Sequence, residues 1–218
     1  MVRELERNLP TDSIHHQTIE LFKKILAQTR SSKQKIYSIH EPDTLCISKG
    51  KEHKKYEFGN KVSIVKTQNT GVIVGAMGFR NEFDGHTLKP ALEQVHRLVG
   101  KEPKRATVDR GYRGNTQIGN TSIQIPKPFN NKKQSKYQQN KLKKAHRQRA
   151  AIEPVIGHLK TDHRLGRNFY KGIIGDNINI MLAAAAFNFK RMMNKWKTSF
   201  FVFVQNLINQ LNQQLLNS

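Results

Sequence analysis

Two clusters of charged residues have the types and spacing to handle phosphate and a divalent cation. The first is Asp109-Arg110-Gly111-Tyr112-Arg113-Gly114, which follows a short β-rich run, RATV, over residues 105–108. An aspartate at the C-terminal end of a strand, with glycine close behind, stands where α/β folds set their ligands. Carboxylate oxygens suit a hard cation such as Mg²⁺, and glycines let a phosphate backbone come close. The same residues also read as a solvated turn in which Asp109 pairs with its neighbouring arginine. The second cluster is Arg149-x3-Glu153-x6-Lys160. At about 100° per residue, Arg149 lies about 40° and Lys160 about 20° from Glu153 on one helix, and His146 shares that face. One carboxylate flanked by cations suits metal ligation with phosphate held on either side. The bland alternative is an exposed ion pair between Arg149 and Glu153, four residues apart.

Elements able to position these clusters can be read from periodicity. Residues 11–29 carry Ile19, Leu21, Phe22, Ile25 and Leu26 at helical spacing, with Thr11 and Asp12 as caps. A polar hinge at 31–35 follows. Residues 56–65 and 71–79 are β-rich and joined by the short KTQNT segment, which predicts an antiparallel hairpin. Leu88, Leu92, Val95 and Leu98 predict a helix over 86–98. Strands follow at 105–108 and 121–125, the latter ended by Pro126 and Pro128. A helix is expected over 138–159, and 178–193 is apolar almost all round, as in a buried helix. Beyond Trp196 the tail is amphipathic and rich in Asn and Gln, suited to a partner. There is no internal repeat. The order predicts a mixed α/β sheet domain with helices packed on it.

Composition narrows the partner. The 218-residue chain carries 38 Lys and Arg against 16 Asp and Glu, a formal net charge of +22, with a pI near 10.3. Such an excess draws polyanions, nucleic acid first. Between residues 127 and 149 stand nine Lys or Arg and no acid. No run approaches the roughly 20 apolar residues of a bilayer span, and the N-terminus lacks the apolar core of a signal peptide, so no membrane is expected. The one cysteine, Cys46, excludes an internal disulfide or thiolate zinc site. The nine histidines are not paired at ligand spacing. A reducing cytoplasm, with the protein on the nucleoid, is the expected setting.

Together the two clusters resemble a known family. DRGYRG, with R-x3-E-x6-K about forty residues on, resembles the second and third carboxylate regions of insertion-sequence DDE transposases. HEPDTLCISKGKEHKKYEFGNKVSI, FRNEFDGHTL and AAIEPVIGHLKTDHRLGRNFYKG extend the likeness over roughly residues 36–195. The family's helix signature begins with Tyr three residues before the Arg; here His146 stands in that place. The resemblance implies an RNase H-like mixed sheet flanked by helices over 36–195, an N-terminal helical segment over 1–35 and a C-terminal tail over 196–218. It implies that Asp109 and Glu153 ligate two Mg²⁺ (or Mn²⁺) ions. Arg110, Arg113, His146, Arg149 and Lys160 would contact the DNA of element ends and target, and a homo-oligomer on DNA is one arrangement it allows.

The family uses a third carboxylate, on the first strand, in an Asp-x-Thr segment upstream of the HEPD region. The chain is expected to begin too late to hold that segment, and so to be a truncated or frame-split copy. Asp43, followed by Thr44, is the best internal candidate, although HEPD is also a good turn sequence. Asp12, in a capping context, and Asp84, in a loop after the hairpin, fit less well. Asp162, His163, Phe169, Tyr170 and Trp196 read as solvated or packing residues, and Glu41 and Glu82 carry no spacing argument. Two rival functions stand beside the transposase reading: a non-catalytic basic nucleic-acid binder, and an RNase H-like nuclease that cuts without joining.

Overall fold

The computed structural model describes residues 1–11, 13–52, 54–80, 82–127 and 135–216. They form two compact units, 1–61 and 62–218.

The first unit opens with α1 (Val2–Asn8), which periodicity did not announce, and α2 (His16–Leu26). Lys23 of α2 holds both Glu6 and Glu20, which ties the two helices and pushes its own pKa up. The helix expected over 11–29 starts later, because His15 is the N-cap and Ser13 Oγ accepts its amide at 3.2 Å. Asp12 lies outside the described residues. β1 (Cys46–Lys51) and β2 (Lys54–Phe58) make an antiparallel pair in which Cys46 faces Phe58. The ring of Phe58 also meets Tyr37, centroids 5.2 Å apart.

Residues 56–65 therefore do not form one strand. Gly59, at φ 137°, breaks the run in a conformation that side-chain-bearing residues rarely adopt. The chain restarts as β3 (Lys61–Lys66), which pairs with β4 (Ile73–Phe79). Their short connection excludes a parallel crossover, so the expected hairpin stands with β3 as its first arm.

In the second unit β4 is the buried element, covered by α3 (Asp84–Val99) and by α6 (Gly172–Leu216). Its glycines make this possible. A β-carbon on Gly75 would stand 2.8 Å from Val95 Cγ2 of α3, and one on Gly78 would stand 2.8 Å from Ile180 Cδ1 of α6. Three residues apart, the two glycines face opposite sides of the strand. Side-chain amides serve the strand's backbone. Gln94 donates to Ala76 O at 3.0 Å and accepts Ala76 N–H at 2.7 Å; Asn188 does the same for Ile73 at 2.8 and 2.9 Å. Gly78 N–H goes to Asn177 Oδ1 at 2.9 Å.

Ile73 and Ala76 share a core with Val155, Leu159, Ile180, Ala183 and Ala184. Leu159, wholly buried, contributes about 1.5–3 kcal/mol by leaving water.

A three-stranded mixed sheet carries the first charged cluster. β5 (Arg105–Thr107) runs parallel to β7 (Thr121–Gln124), which pairs antiparallel with β6 (Gln117–Ile118). Leu88 and Leu92 of α3 pack on Ile123, Ala106, Val108, Tyr112 and Ile118. Leu98, fourth in the sequence pattern, is exposed at the end of α3. The architecture is mixed α/β, as expected, and among the described residues the strands are spread over three small sheets.

Two helices differ from expectation. The helix expected over 138–159 is two: α4 (Lys136–Ala150), closed at its start by a Ser135–Gln138 capping box, and α5 (Glu153–Thr161). Pro154 causes the break, since it has no N–H for the Ala150 carbonyl and its ring crowds that group. The helix expected to be buried all round at 178–193 buries one face, Ile180, Ala183 and Ala184, while Ile178, Met181, Leu182 and Phe189 are exposed. It belongs to a single 45-residue helix that runs on through the tail. Among the described residues, this helix over Gly172–Gln210 has the length and composition to cross a membrane: its most apolar 18-residue stretch has a mean hydropathy of 1.2, and about a fifth of that stretch is buried.

Candidate active site

Asp109 stands one residue beyond β5, after Val108, and caps a single turn of 3₁₀ helix, Arg110–Tyr112. Its Oδ1 accepts the Gly111 N–H at 2.8 Å, which fixes the carboxylate over the turn. Arg110 and Arg113 are exposed on that turn. The first turn of α3 holds the loop from behind. Asn115 Nδ2 donates to Gly85 O at 3.2 Å, and Thr87 Oγ1 lies 3.5 Å from the Tyr112 hydroxyl.

Asp84, expected in a loop, is instead the first residue of α3. A β-carbon on Gly111 would stand 2.7 Å from Asp84 Oδ2 and 3.1 Å from Asp109 Oδ1. Two carboxylates thus flank one glycine. Sequence reasoning set Asp84 aside; the usable signal was an acid one turn ahead of the apolar series Leu88, Leu92, Val95, hence at a helix start.

Glu153 opens α5, and its Oε1 takes Arg149 Nη2 at 2.6 Å. The pair forms across the break between α4 and α5, so local contact, and no continuous helical phase, brings the two together. The glutamate's side chain is 60% exposed and the arginine's 37%. Lys160 is exposed two turns along α5. His146, on α4, spends its Nε2 on the Lys127 carbonyl at 2.8 Å, a contact within the protein. Of the basic segment, residues 128–134 lie outside the described residues.

The far end of α5 is tied to α6. Asp162 accepts from Thr161 Oγ1 at 2.7 Å and His158 Nδ1 at 3.0 Å, and pairs with Lys190 Nζ at 3.3 Å. The Thr161 hydroxyl first, then His158 and Lys190, hold its carboxyl well below the usual carboxylate range. His163 instead turns its ring edge-on to Phe187, centroids 6.0 Å apart.

Asp43 belongs to the first unit. It sits exposed in the turn over residues 41–44, where Thr44 N–H reaches Glu41 O at 3.1 Å and Pro42 supplies the fixed φ. Among the described residues, no three His, Cys, Asp or Glu side chains converge into a metal-holding group.

What the arrangement offers is a carboxylate braced at a strand end beside a second carboxylate, a further carboxylate paired with arginine, and exposed cations near both. The transposase DDE domain family matches residues 27–189, three quarters of the chain, including Asp43, Asp84, Asp109 and Glu153. No curated protein and no solved structure matches. The chain therefore belongs to the transposase DDE domain family, proteins of mobile elements that act in DNA transposition.

Proposed function

We propose that the protein is a DNA transposase that cleaves phosphodiester bonds at the ends of an insertion sequence and joins them to target DNA. The observation that carries this reading is Asp109, braced at the end of β5 by the Gly111 amide, inside the matched DDE region. The fold we assign to the matched region is RNase H-like, a reading that the parallel β5–β7 pair and the flanking helices support.

The donor chemistry fits divalent cations. Mg²⁺ and Mn²⁺ take oxygen ligands, and Asp109 offers one carboxylate with Asp84 beside it. Asp109 and Glu153 would hold the ions. When bound, the ions supply Lewis-acid polarisation of the phosphodiester and charge neutralisation at the departing oxygen. The protein's own groups do the rest. The Gly111 amide keeps the Asp109 carboxylate from turning away. Arg149 holds Glu153 at the start of α5 and brings positive charge to the phosphate. Arg110, Arg113 and Lys160 neutralise neighbouring phosphates, an affinity that falls with salt. Asp43 remains a candidate third carboxylate, supported by its place in the matched region.

In the first step water's oxygen bonds to phosphorus at the element end, the bond to the 3′ oxygen breaks, and that oxygen leaves as a hydroxyl. In the second step the freed 3′-hydroxyl bonds to a target phosphorus and displaces a target 3′ oxygen. No covalent bond to the protein forms.

The test is cleavage and joining of element-end DNA with Mg²⁺ by the chain and by Asp109→Ala. Binding that persists in the variant with at least a thousandfold loss of cleavage supports the reading, a loss of the size that removing a metal ligand gives when the transition state depends on it, about 4 kcal/mol. Undiminished cleavage overturns it. The Arg149–Glu153 pair favours one second reading, a non-catalytic DNA binder whose carboxylates are structural. That protein would bind DNA equally with and without divalent ions and cut nothing.

A further inference from the structure

The exposed side of α5 breaks two local rules of chain stability. Gly157 stands in mid-helix with an ordinary right-handed backbone. Elsewhere close packing requires glycine, as at Gly175 of α6, where a β-carbon would stand 2.6 Å from Tyr170 Cβ. A β-carbon on Gly157 would meet nothing within 4 Å. Alanine would suit the helix better there, because glycine loses more backbone freedom on folding. Beyond the helix end the opposite occurs. Arg164 holds φ 55° in the turn where the Leu165 N–H returns to the Leu159 carbonyl at 2.9 Å. Among the described residues it is the one non-glycine residue with positive φ, a conformation that glycine takes without strain. The fold thus accounts for neither residue type, and such losses of local stability collect at functional surfaces.

Their placement says what they serve. Val155 and Leu159 form the buried face of α5. At about 100° per residue Gly157 lies about 160° from each of them, on the outermost line of the helix. Glu153 stands one turn before it and Lys160 one turn after, and Arg164 follows beyond the helix end; all four are exposed. Among the described residues, neither Lys160 nor Arg164 enters an ion pair. A bare α-carbon lets another chain lie directly against the helix backbone, as glycine does where phosphate comes close. The two cations fit a polyanion. A protein partner would gain from an apolar side chain at position 157, which it could bury. A phosphodiester strand gains from having none.

We propose that the exposed line of α5 over Gly157, Lys160 and Arg164 seats one phosphodiester strand of DNA, with Gly157 the clearance through which the strand reaches the helix and Arg164 a cation that holds it. The inference rests on the transposase reading, which makes DNA the partner. Gly157 and Arg164 are positioning residues: they touch no reacting atom and set the strand beside Glu153.

Fluorescence anisotropy with a labelled random-sequence duplex DNA, without divalent ions, measures the seat, and thermal melting of the same full-length samples measures the fold. Gly157→Ala should melt about 2–4 °C above the parent, yet bind the duplex at least about tenfold more weakly. Arg164→Gly should melt no lower than the parent, and the salt dependence of its DNA binding should flatten by about one phosphate contact. Gly157→Ala that binds like the parent, or Arg164→Gly with unchanged salt dependence, overturns the proposal and leaves the transposase reading standing. A lower melting temperature in either variant overturns it as well, since the residue would then serve the fold. So does Gly157→Ala that alters the sedimentation of the chain with DNA binding intact, the mark of a protein contact. A parent that binds no DNA overturns the proposal and the transposase reading together.

Discussion

The carboxylates of Asp84 and Asp109 converge on the α-carbon of Gly111, where a methyl group would sit within 3.1 Å of an oxygen of each. A side chain at residue 111 would therefore have to displace the ends of both carboxylates. That relationship joins the start of α3 to the turn after β5, and the two elements contribute to one core through Leu88, Leu92 and Ala106.

Gly111→Ala should therefore push both carboxylates aside. The expected result is at least a tenfold loss of DNA cleavage with a stability loss of about 1–3 kcal/mol, in the range for overpacking. Adding Asp84→Ala removes the closer obstacle and should restore most of the stability. Urea unfolding of the single and double variants checks this; a single variant as stable as the parent would contradict the clash.

Arg149→Ala separates structure from chemistry at Glu153. The ion pair is exposed, so its loss should alter stability by no more than about 1 kcal/mol. If Arg149 also meets phosphate, turnover of element-end DNA should fall much further than stability, and the salt dependence of DNA binding should flatten by about one phosphate contact. Unfolding curves and binding isotherms at several salt concentrations measure both.

Acid sensitivity should centre in part on Asp162. Its carboxyl sits below the ordinary carboxylate range in the folded chain. A depressed folded value means that the contribution is present above the ordinary unfolded value, about 4, and is lost as pH falls toward the folded one. Between about pH 4 and pH 2 the tie from α5 to Lys190 of α6 should loosen. Asp162→Asn should lower stability at pH 7 and flatten the dependence below pH 4; chemical denaturation at pH 7, 5 and 3 reads the difference.

Gln94 is the polar side chain on which β4 most depends. It is buried, and both its bonds go to Ala76. Gln94→Ala strips a buried N–H and a buried C=O of their partners at about 1–3 kcal/mol each, so a total loss of about 2–5 kcal/mol is expected. Gln94→Glu should recover little, since a carboxylate can accept the Ala76 amide but cannot donate to its carbonyl. Thermal melting of the two variants separates these outcomes.

The sequence made some of this legible and hid the rest for physical reasons. Apolar periodicity found α3 and the arms of β5 and β7, because Leu88, Leu92 and Ile123 pack as their spacing requires. The strand-end position of Asp109 followed from the RATV run. Pattern alone treated 138–159 as one helix and passed over Pro154, whose missing N–H decides the break. It treated 56–65 as one strand and passed over Gly59, whose positive φ divides two hairpins. Asp84 was set aside because its nearness to Asp109 depends on α3 packing against β5, a contact between residues distant in sequence. The amide forks of Gln94 and Asn188 are likewise invisible locally: each residue gains its meaning from a strand that lies 18 or 115 positions away.

The single span of α6 has a consequence for how its bare half stays helical. A short helix in water is limited by nucleation, the fixing of a first turn for one hydrogen bond. Here the turns clamped to β4 have already met that requirement, and the remainder only propagates from them. Order should accordingly fade from Leu216 inward, a frayed tip on a firm stem, and stepwise shortening of the chain from its C-terminus should trim helicity gradually while leaving the unfolding transition of the α/β unit where it was.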